Sequence, residues 1–179
     1  VKLYDEILTM AVYLRKLYNR LNKLQPTKIP LYTQDEFKDM LISLKTFDED
    51  QLIKFYSLVS ENPHLTAFMF ENVLLTNSPN AYCFTTKQIE SQKLNVNESM
   101  NLLMKISSNP IPLTECLEKS LLKLAYDEQL SKKKLRHQAV VTLASMIRVS
   151  PDTDKYDHIV KEFVQNLKDS KQDSDRAIF

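Results

Sequence analysis

Apolar residues recur along this chain at alternating spacings of three and four, the period of a helix buried on one side. Leu3, Ile7, Met10, Leu14, Leu17, Leu21 and Leu24 form the most regular stripe, and Tyr4, Ala11 and Tyr18 widen it. That width fits a packed bundle helix better than a coiled-coil seam. Pro26 and Pro30 bracket a break that cannot remain helical. Thr33 then has the character of an N-cap with Glu36 as its capping-box partner, ahead of a stripe of Phe37, Met40, Leu41 and Leu44. Asp48 with Gln51 repeats the signal before Leu52, Phe55, Tyr56 and Val59. Asn62-Pro63 is a cap followed by proline at the first helical position, leading Leu65, Phe68, Met69, Val73 and Leu74.

Asn77-Ser78-Pro79-Asn80 has loop composition, and a short helix is expected from Thr85 or Thr86 to about Gln92. Asn95 caps the next helix with Glu98 completing a capping box, and its apolar side is Met100, Leu103, Met104 and Ile106. After the rigid Asn109-Pro110-Ile111-Pro112 connector, a helix starting near Thr114 shares a face among Leu113, Cys116, Leu117, Leu121 and Leu124. Ser131 caps a helix carrying Leu135, Ala139, Val140, Leu143, Met146 and Ile147, which Ser150-Pro151-Asp152 ends. Tyr156, Ile159, Val160, Phe163, Val164 and Leu167 mark the last helix, and Lys171 to Asp175 a polar turn. About nine helices with short linkers and no convincing strand predict an all-α fold with antiparallel neighbours. Amphipathic helices in consecutive pairs suggest an α-solenoid, although no repeat of fixed length is detectable, and a compact bundle is the alternative.

Composition sharpens the exclusion. Glycine is absent, where average usage near ~7% predicts on the order of a dozen. P-loops, dinucleotide-binding turns, nucleophile elbows and EF-hand loops all need glycine backbones, so these classes fall away together. Tight Asn-Gly hairpins fall with them. The 24 Lys and Arg balance 23 Asp and Glu, leaving no global field to attract nucleic acid or an anionic membrane. Apolar runs are too short for a membrane span. The chain starts at Val1 and stops on Ala177-Ile178-Phe179, and is read as an excerpt of a longer protein.

Candidate chemistry is sparse. His64, His137 and His158 stand far apart, none at metal-ligand spacing with another histidine. Cys83 and Cys116 are too few for a zinc site, and the apolar face of Cys116 favours a free buried thiol over a disulfide. Lys132, Lys133, Lys134 and Arg136 form the one basic cluster, at a helix start where it opposes the dipole. As a site it is a docking patch for an acidic partner or lipid headgroups. As plain structure it is a solvated helix face with Asp127 and Glu128 upstream, and the weight falls there. Asn97-Glu98-Ser99 is a glycosylation sequon in a helical first turn, a poor acceptor geometry. No carboxylate pair, Ser-His-Asp or Cys-His arrangement stands out, so catalysis is not expected.

The order of several segments is familiar. Phe37-Lys38-Asp39-Met40-Leu41, then Leu44 and Phe47-Asp48-Glu49-Asp50-Gln51-Leu52, resembles the entry to the helical domain of the large lipid transfer proteins: vitellogenins, apolipophorins, apolipoprotein B and the microsomal triglyceride transfer protein large subunit. Leu94 to Leu103 is similar to that family's L-S-x-x-E-A-x-x-L-L segment, and Ile111 to Leu117 to its P-T-x-E-L-L segment. Leu135 to Ile147 lies where the family has A-L-L-x-L-G-S-L-V, with Ala144 in place of the glycine, and Arg176 to Phe179 where it continues into Y-L-x-A-L-G-N. Glu71 to Ser78 replaces the family's D-A-L-P-x-x-G-T turn. The resemblance implies that residues 1–179 are part of a vitellogenin-type helical domain. Its fold would be a two-layer α-α superhelix, a solenoid-like arch of paired antiparallel helices wrapped around lipid-enclosing β-sheets elsewhere in a much larger protein. The implied function is lipid transport and lipoprotein assembly, with a structural and docking role, secreted via the endoplasmic reticulum. The implied partners are phospholipid and neutral lipid through the full-length protein, the adjacent β-sheet domains and a receptor or chaperone. Neither nucleic acid, catalysis, a metal nor a cofactor other than bound lipid is implied. The alternative is a HEAT-like helical-repeat scaffold for protein–protein interaction.

Overall fold

A computed structural model describes residues 2–23, 35–126 and 133–169. Among these the chain is all-helical with no strand. Its α-helices are α1 Lys2–Lys23, α2 Asp35–Lys45, α3 Glu49–Val59, α4 Pro63–Leu74, α5 Pro79–Glu90, α6 Val96–Ser108, α7 Glu115–Tyr126, α8 Lys133–Val149 and α9 Asp157–Asp169, with a 3-10 turn at Thr153–Tyr156. The chain gathers into two compact units, Val1–Phe84 and Thr85–Phe179, whose boundary falls within α5. Pro26, Pro30, Thr33, Ser131, Lys132, the Lys171–Asp175 turn and the Arg176–Phe179 ending lie outside the described residues.

In the first unit, α1 packs on α3 and α4, α3 on α4, and α2 on α4. The centre of the α1 stripe is buried: Ile7, Met10, Ala11, Leu14 and Leu17. Its edge is not, for Tyr4 and Leu21 are exposed and Tyr18 is half-buried against Phe68, ring centroids 5.7 Å apart. Phe37, Met40 and Leu44 of α2 and Leu52, Phe55 and Val59 of α3 complete the core as their spacing requires. Phe70 stacks on Phe84 at 5.7 Å, and Tyr56 packs against both. Arg15 ties α1 to the end of α3, donating to the Leu58 carbonyl and pairing with Glu61.

Among the described residues, Asp48, Asn62 and Asn95 cap as the sequence marks, but Glu98 returns no bond to the Asn95 N–H, so the box expected there stays half-formed. Asp48 accepts from the Gln51 N–H at 2.9 Å, and Gln51 Oε1 accepts from the Asp48 N–H at 2.8 Å, a closed capping box. Asn62 Oδ1 accepts from the N–H groups of His64 and Leu65. Asn95 accepts from the Glu98 N–H at 2.8 Å. Each satisfies backbone donors that a helix start leaves unpaired.

One element differs from expectation. α5 begins at Pro79, six residues before Thr85, so two residues assigned to a loop are helical. Pro79 is a first-turn proline of the kind α4 has at Pro63, and Ser78 accepts from the Tyr82 N–H as the helix starts. Ala81 to Thr86, Gln88 and Ile89 are all buried, so α5 has almost no polar face against which a helical period could show.

In the second unit, α8 packs on both α6 and α7. Leu102, Leu103 and Ile106 of α6, Leu117, Leu121, Leu124 and Ala125 of α7, and Leu135, Ala139, Leu143 and Met146 of α8 are buried. Met104, expected on the buried side of α6, is exposed. Thr142 joins α8 to α6 through its hydroxyl, 2.7 Å from Ser107 Oγ and 3.2 Å from the Leu103 carbonyl. Tyr156 donates to the Leu113 carbonyl at 3.0 Å, while Tyr126 meets Phe163 of α9. On α9, Ile159 and Phe163 are buried, but Val160 and Val164 face solvent.

Helices here end without glycine. After α5, Gln92 adopts the left-handed region (φ 60). Its N–H donates to the Ile89 carbonyl and that of Lys93 to Gln88, the paired bonds of a Schellman turn. Asn77 (φ 52) is likewise left-handed after α4, its N–H donating to the Leu74 carbonyl while the Ser78 N–H goes to the Thr76 hydroxyl, and its side chain accepts from the Tyr82 hydroxyl at 2.9 Å. A long side chain in this conformation costs about 1 kcal/mol relative to glycine. Gln92→Gly therefore raises stability by about 0.5–1 kcal/mol in urea denaturation, and Gln92→Ala gives no such gain. Burial pushes the Tyr82 phenol up to about 12 from an ordinary 10.0. The unfolded chain therefore loses this proton before the folded one does. The contribution is intact below the ordinary value and is lost as pH rises through the folded one. Alkaline titration followed by helicity should show that loss, with a weaker dependence for Tyr82→Phe over the same range.

Candidate functional site

Of the basic cluster, Lys133 and Lys134 open α8, and Lys134 is exposed. Arg136 is half-buried and turned back toward α7, its Nε donating to the Ala125 carbonyl at 3.3 Å. The described part of the cluster thus includes one arginine occupied with tying α8 to the end of α7. Asn97 is exposed in the first turn of α6, but Ser99 of the same sequon is buried. A glycosyltransferase reads that hydroxyl together with the asparagine amide, so folded α6 hides half of the acceptor.

The cysteine expectation is corrected. Neither Cys83 nor Cys116 is a free thiol; both are disulfide-bonded. Leu113, Leu117, Leu121 and Leu124 are buried, whereas Cys116 is only half-buried at the shoulder of their stripe. His64 and His137 are exposed. His158 Nε2 lies 3.7 Å from Glu118, with Nδ1 3.1 Å from the Lys155 carbonyl. Among the described residues no group of three or more His, Cys, Asp or Glu could hold a metal ion. No helix among them is long and apolar enough to cross a membrane.

Two open grooves contrast in their electrostatics. In the second unit, a groove of about 460 Å³ between α5 and α7 is lined by Lys87, Glu90, Lys119, Lys123 and their neighbours. Its charges are answered from within. Glu90 pairs with Lys123 at 2.8 Å and accepts from the Ser120 hydroxyl at 3.0 Å, and Lys119 meets Glu115 at 3.0 Å. The Lys119 partner holds the Glu115 carboxyl below the usual range.

In the first unit, a groove of about 530 Å³ lies between α1 and α2. Tyr13, Lys16, Leu17 and Arg20 come from one face of α1 at helical spacing, and Glu36, Asp39, Met40 and Ser43 from one face of α2. The floor is apolar, for Met10, Leu17 and Met40 are buried, while the four charged side chains are exposed at the rim. None of these four forms an ion pair with a described residue. The Tyr13 hydroxyl is shielded from solvent and has no hydrogen-bond partner among the described residues. Leaving such a group unsatisfied costs about 1–3 kcal/mol. Burial chiefly, then the nearby Glu36 carboxylate, raises the Tyr13 phenol, with Arg20 acting in the opposite direction. Sequence patterning did not find this groove, since Lys16, Arg20, Glu36 and Asp39 read as ordinary solvated charges until α1 and α2 are placed together.

Alkylation of the unreduced, denatured chain should label neither Cys83 nor Cys116. Reduction should expose two reactive thiols, counted by the added mass of the label.

No protein-family description, characterised protein or solved structure matches this chain.

Proposed function

We propose that this chain is a helical segment of a lipid-transport protein of the vitellogenin or apolipophorin kind, bracing a lipid compartment supplied by other parts of a longer polypeptide. The observation that carries the reading is the placement of the family-like segments. Phe37 to Leu52 falls on α2, the linker and the capped start of α3. Leu94 to Leu103 is the cap and first turns of α6, Ile111 to Leu117 the entry to α7, and Leu135 to Ile147 the body of α8. An order of soft motifs that land at helix starts and on helix faces is the order a helical supporting domain needs. No matching relative stands behind it, so the reading rests on those residues and on the helical fold.

Two further features are in keeping with it. Large apolar side chains stay exposed on several helices, with Tyr4, Leu8 and Val12 one turn apart along α1 and Val160 and Val164 along α9. A brace between a helical layer and a greasy neighbour requires second faces of this kind. The disulfide state of both cysteines suits the oxidising compartments through which secreted proteins pass. In this reading the lysines of the cluster, Lys132 to Lys134, contribute to docking of a receptor, chaperone or acidic neighbour, while Arg136 holds α8 to the end of α7.

The test is the cargo. Native protein captured from its source through an antibody to this segment should carry phospholipid and neutral lipid, detected by mass spectrometry of the organic extract. Lipid-free native protein would overturn the reading in favour of a HEAT-like scaffold for protein partners.

A further inference from the structure

The α1/α2 groove differs from an ordinary solvated surface in one respect. Lys16 and Arg20 stand on one wall, Glu36 and Asp39 on the other, and no ion pair among the described residues closes the space between them. Opposite charges on facing helices commonly join, as Lys123 and Glu90 do in the second unit. Here no such pair forms among the described residues, and the floor is apolar. Tyr13 sits among them, half-buried, with a hydroxyl that no described residue engages.

We infer that the groove between α1 and α2 binds a zwitterionic phosphoester of the phosphocholine type, phosphate toward Lys16 and Arg20 and ammonium toward Glu36 and Asp39. Two cations one helical turn apart on one face match the spread of oxygens on a phosphate, and arginine offers it a forked pair of donors. A quaternary ammonium has no N–H to donate, so it is held by carboxylate charge and by an aromatic face. Glu36, Asp39 and the Tyr13 ring supply these around one space. A phosphoester of choline separates its anionic and cationic groups by several bonds, as a groove with opposite charges on its two walls asks. The volume, about 530 Å³, accommodates such a headgroup.

Two sources offer this chemistry, a free phosphoester and the headgroup of a phospholipid. Only the second rests on the lipid-transport reading.

The experiment titrates the complete chain with phosphocholine, inorganic phosphate and choline by calorimetry or by amide shifts. Phosphocholine should saturate, and phosphate alone and choline alone should each bind at least about tenfold more weakly, since either half leaves one wall unanswered. Lys16→Glu with Arg20→Glu should abolish binding. Glu36→Gln with Asp39→Asn, an isosteric pair at exposed positions, should weaken it about tenfold without loss of helicity. Tyr13→Phe, which keeps the ring and removes only the shielded hydroxyl, should leave binding unchanged. Absence of saturation, phosphate binding as tightly as phosphocholine, or indifference to both charge pairs overturns the proposal. Flotation with phosphatidylcholine vesicles separates the sources: recruitment lost in Lys16→Glu/Arg20→Glu assigns the lipid headgroup, and free phosphocholine binding without recruitment assigns the soluble phosphoester. Native protein that carries lipid while its groove ignores phosphocholine would sink this inference and leave the lipid-transport reading standing.

Discussion

A helix satisfies its backbone hydrogen bonds within itself but cannot bury its own apolar stripe. Everything described of this chain follows from that division. Each of the long side chains Leu14, Phe55, Phe70, Leu103 and Leu143 is fully buried against a neighbouring helix, a contribution of about 1.5–3 kcal/mol apiece. No helix has that stabilisation alone, so partners are obligatory. The absence of glycine makes the same point at the helix ends. Chain reversal depends on side-chain caps such as Asp48 and Asn62 and on the left-handed Asn77 and Gln92. These hold their conformations because the packed helices on either side leave little choice.

Helix existence was legible for a physical reason. Where one face is polar, the three-four spacing survives in the sequence, and α2, α3 and α8 follow their stripes almost residue for residue. Caps were legible as well, because a short polar side chain before an apolar run has a local job that needs no tertiary context. α5 failed both criteria. Its start reads Ser78-Pro79-Asn80, residues shared by turns and helix starts, and its body is buried on nearly every side. Stripe width was the other failure. Leu21 and Met104 have the right period but sit at the stripe's edge, where exposure depends on how closely the next helix approaches.

The sites show the opposite balance. The residues the sequence singled out for chemistry, Asn97 and the basic run at the start of α8, are determined by local pattern, and the structure engages part of each in local work. Ser99 is buried by α6, and Arg136 is spent on the Ala125 carbonyl. The α1/α2 groove carries no local pattern. Its four charges become a set only because α1 and α2 present their polar shoulders to one space. Cys116 teaches a related lesson. Its neighbours at helical spacing are core leucines, yet a rotation of part of a turn separates the core from a half-exposed shoulder.

Exposed apolar residues bear on the lipid reading only where they line up. Single cases such as Ile42, Ile53 and Met104 are ordinary on a protein surface. Along α1, however, Tyr4, Leu8 and Val12 recur every four residues beside the buried Ile7–Met10–Leu14 face, so that helix has two apolar faces. α9 has the same character on a smaller scale, with Val160 and Val164 beside Ile159 and Phe163. A helix that needs only to close its own unit gains nothing from a second face and risks association through it. Two-faced helices are what an intermediate layer requires, with one side on its own unit and the other on something greasy. The demand that the lipid-transport reading makes of this chain therefore falls on α1 and α9, while α3 and α6 can serve as plain packing elements.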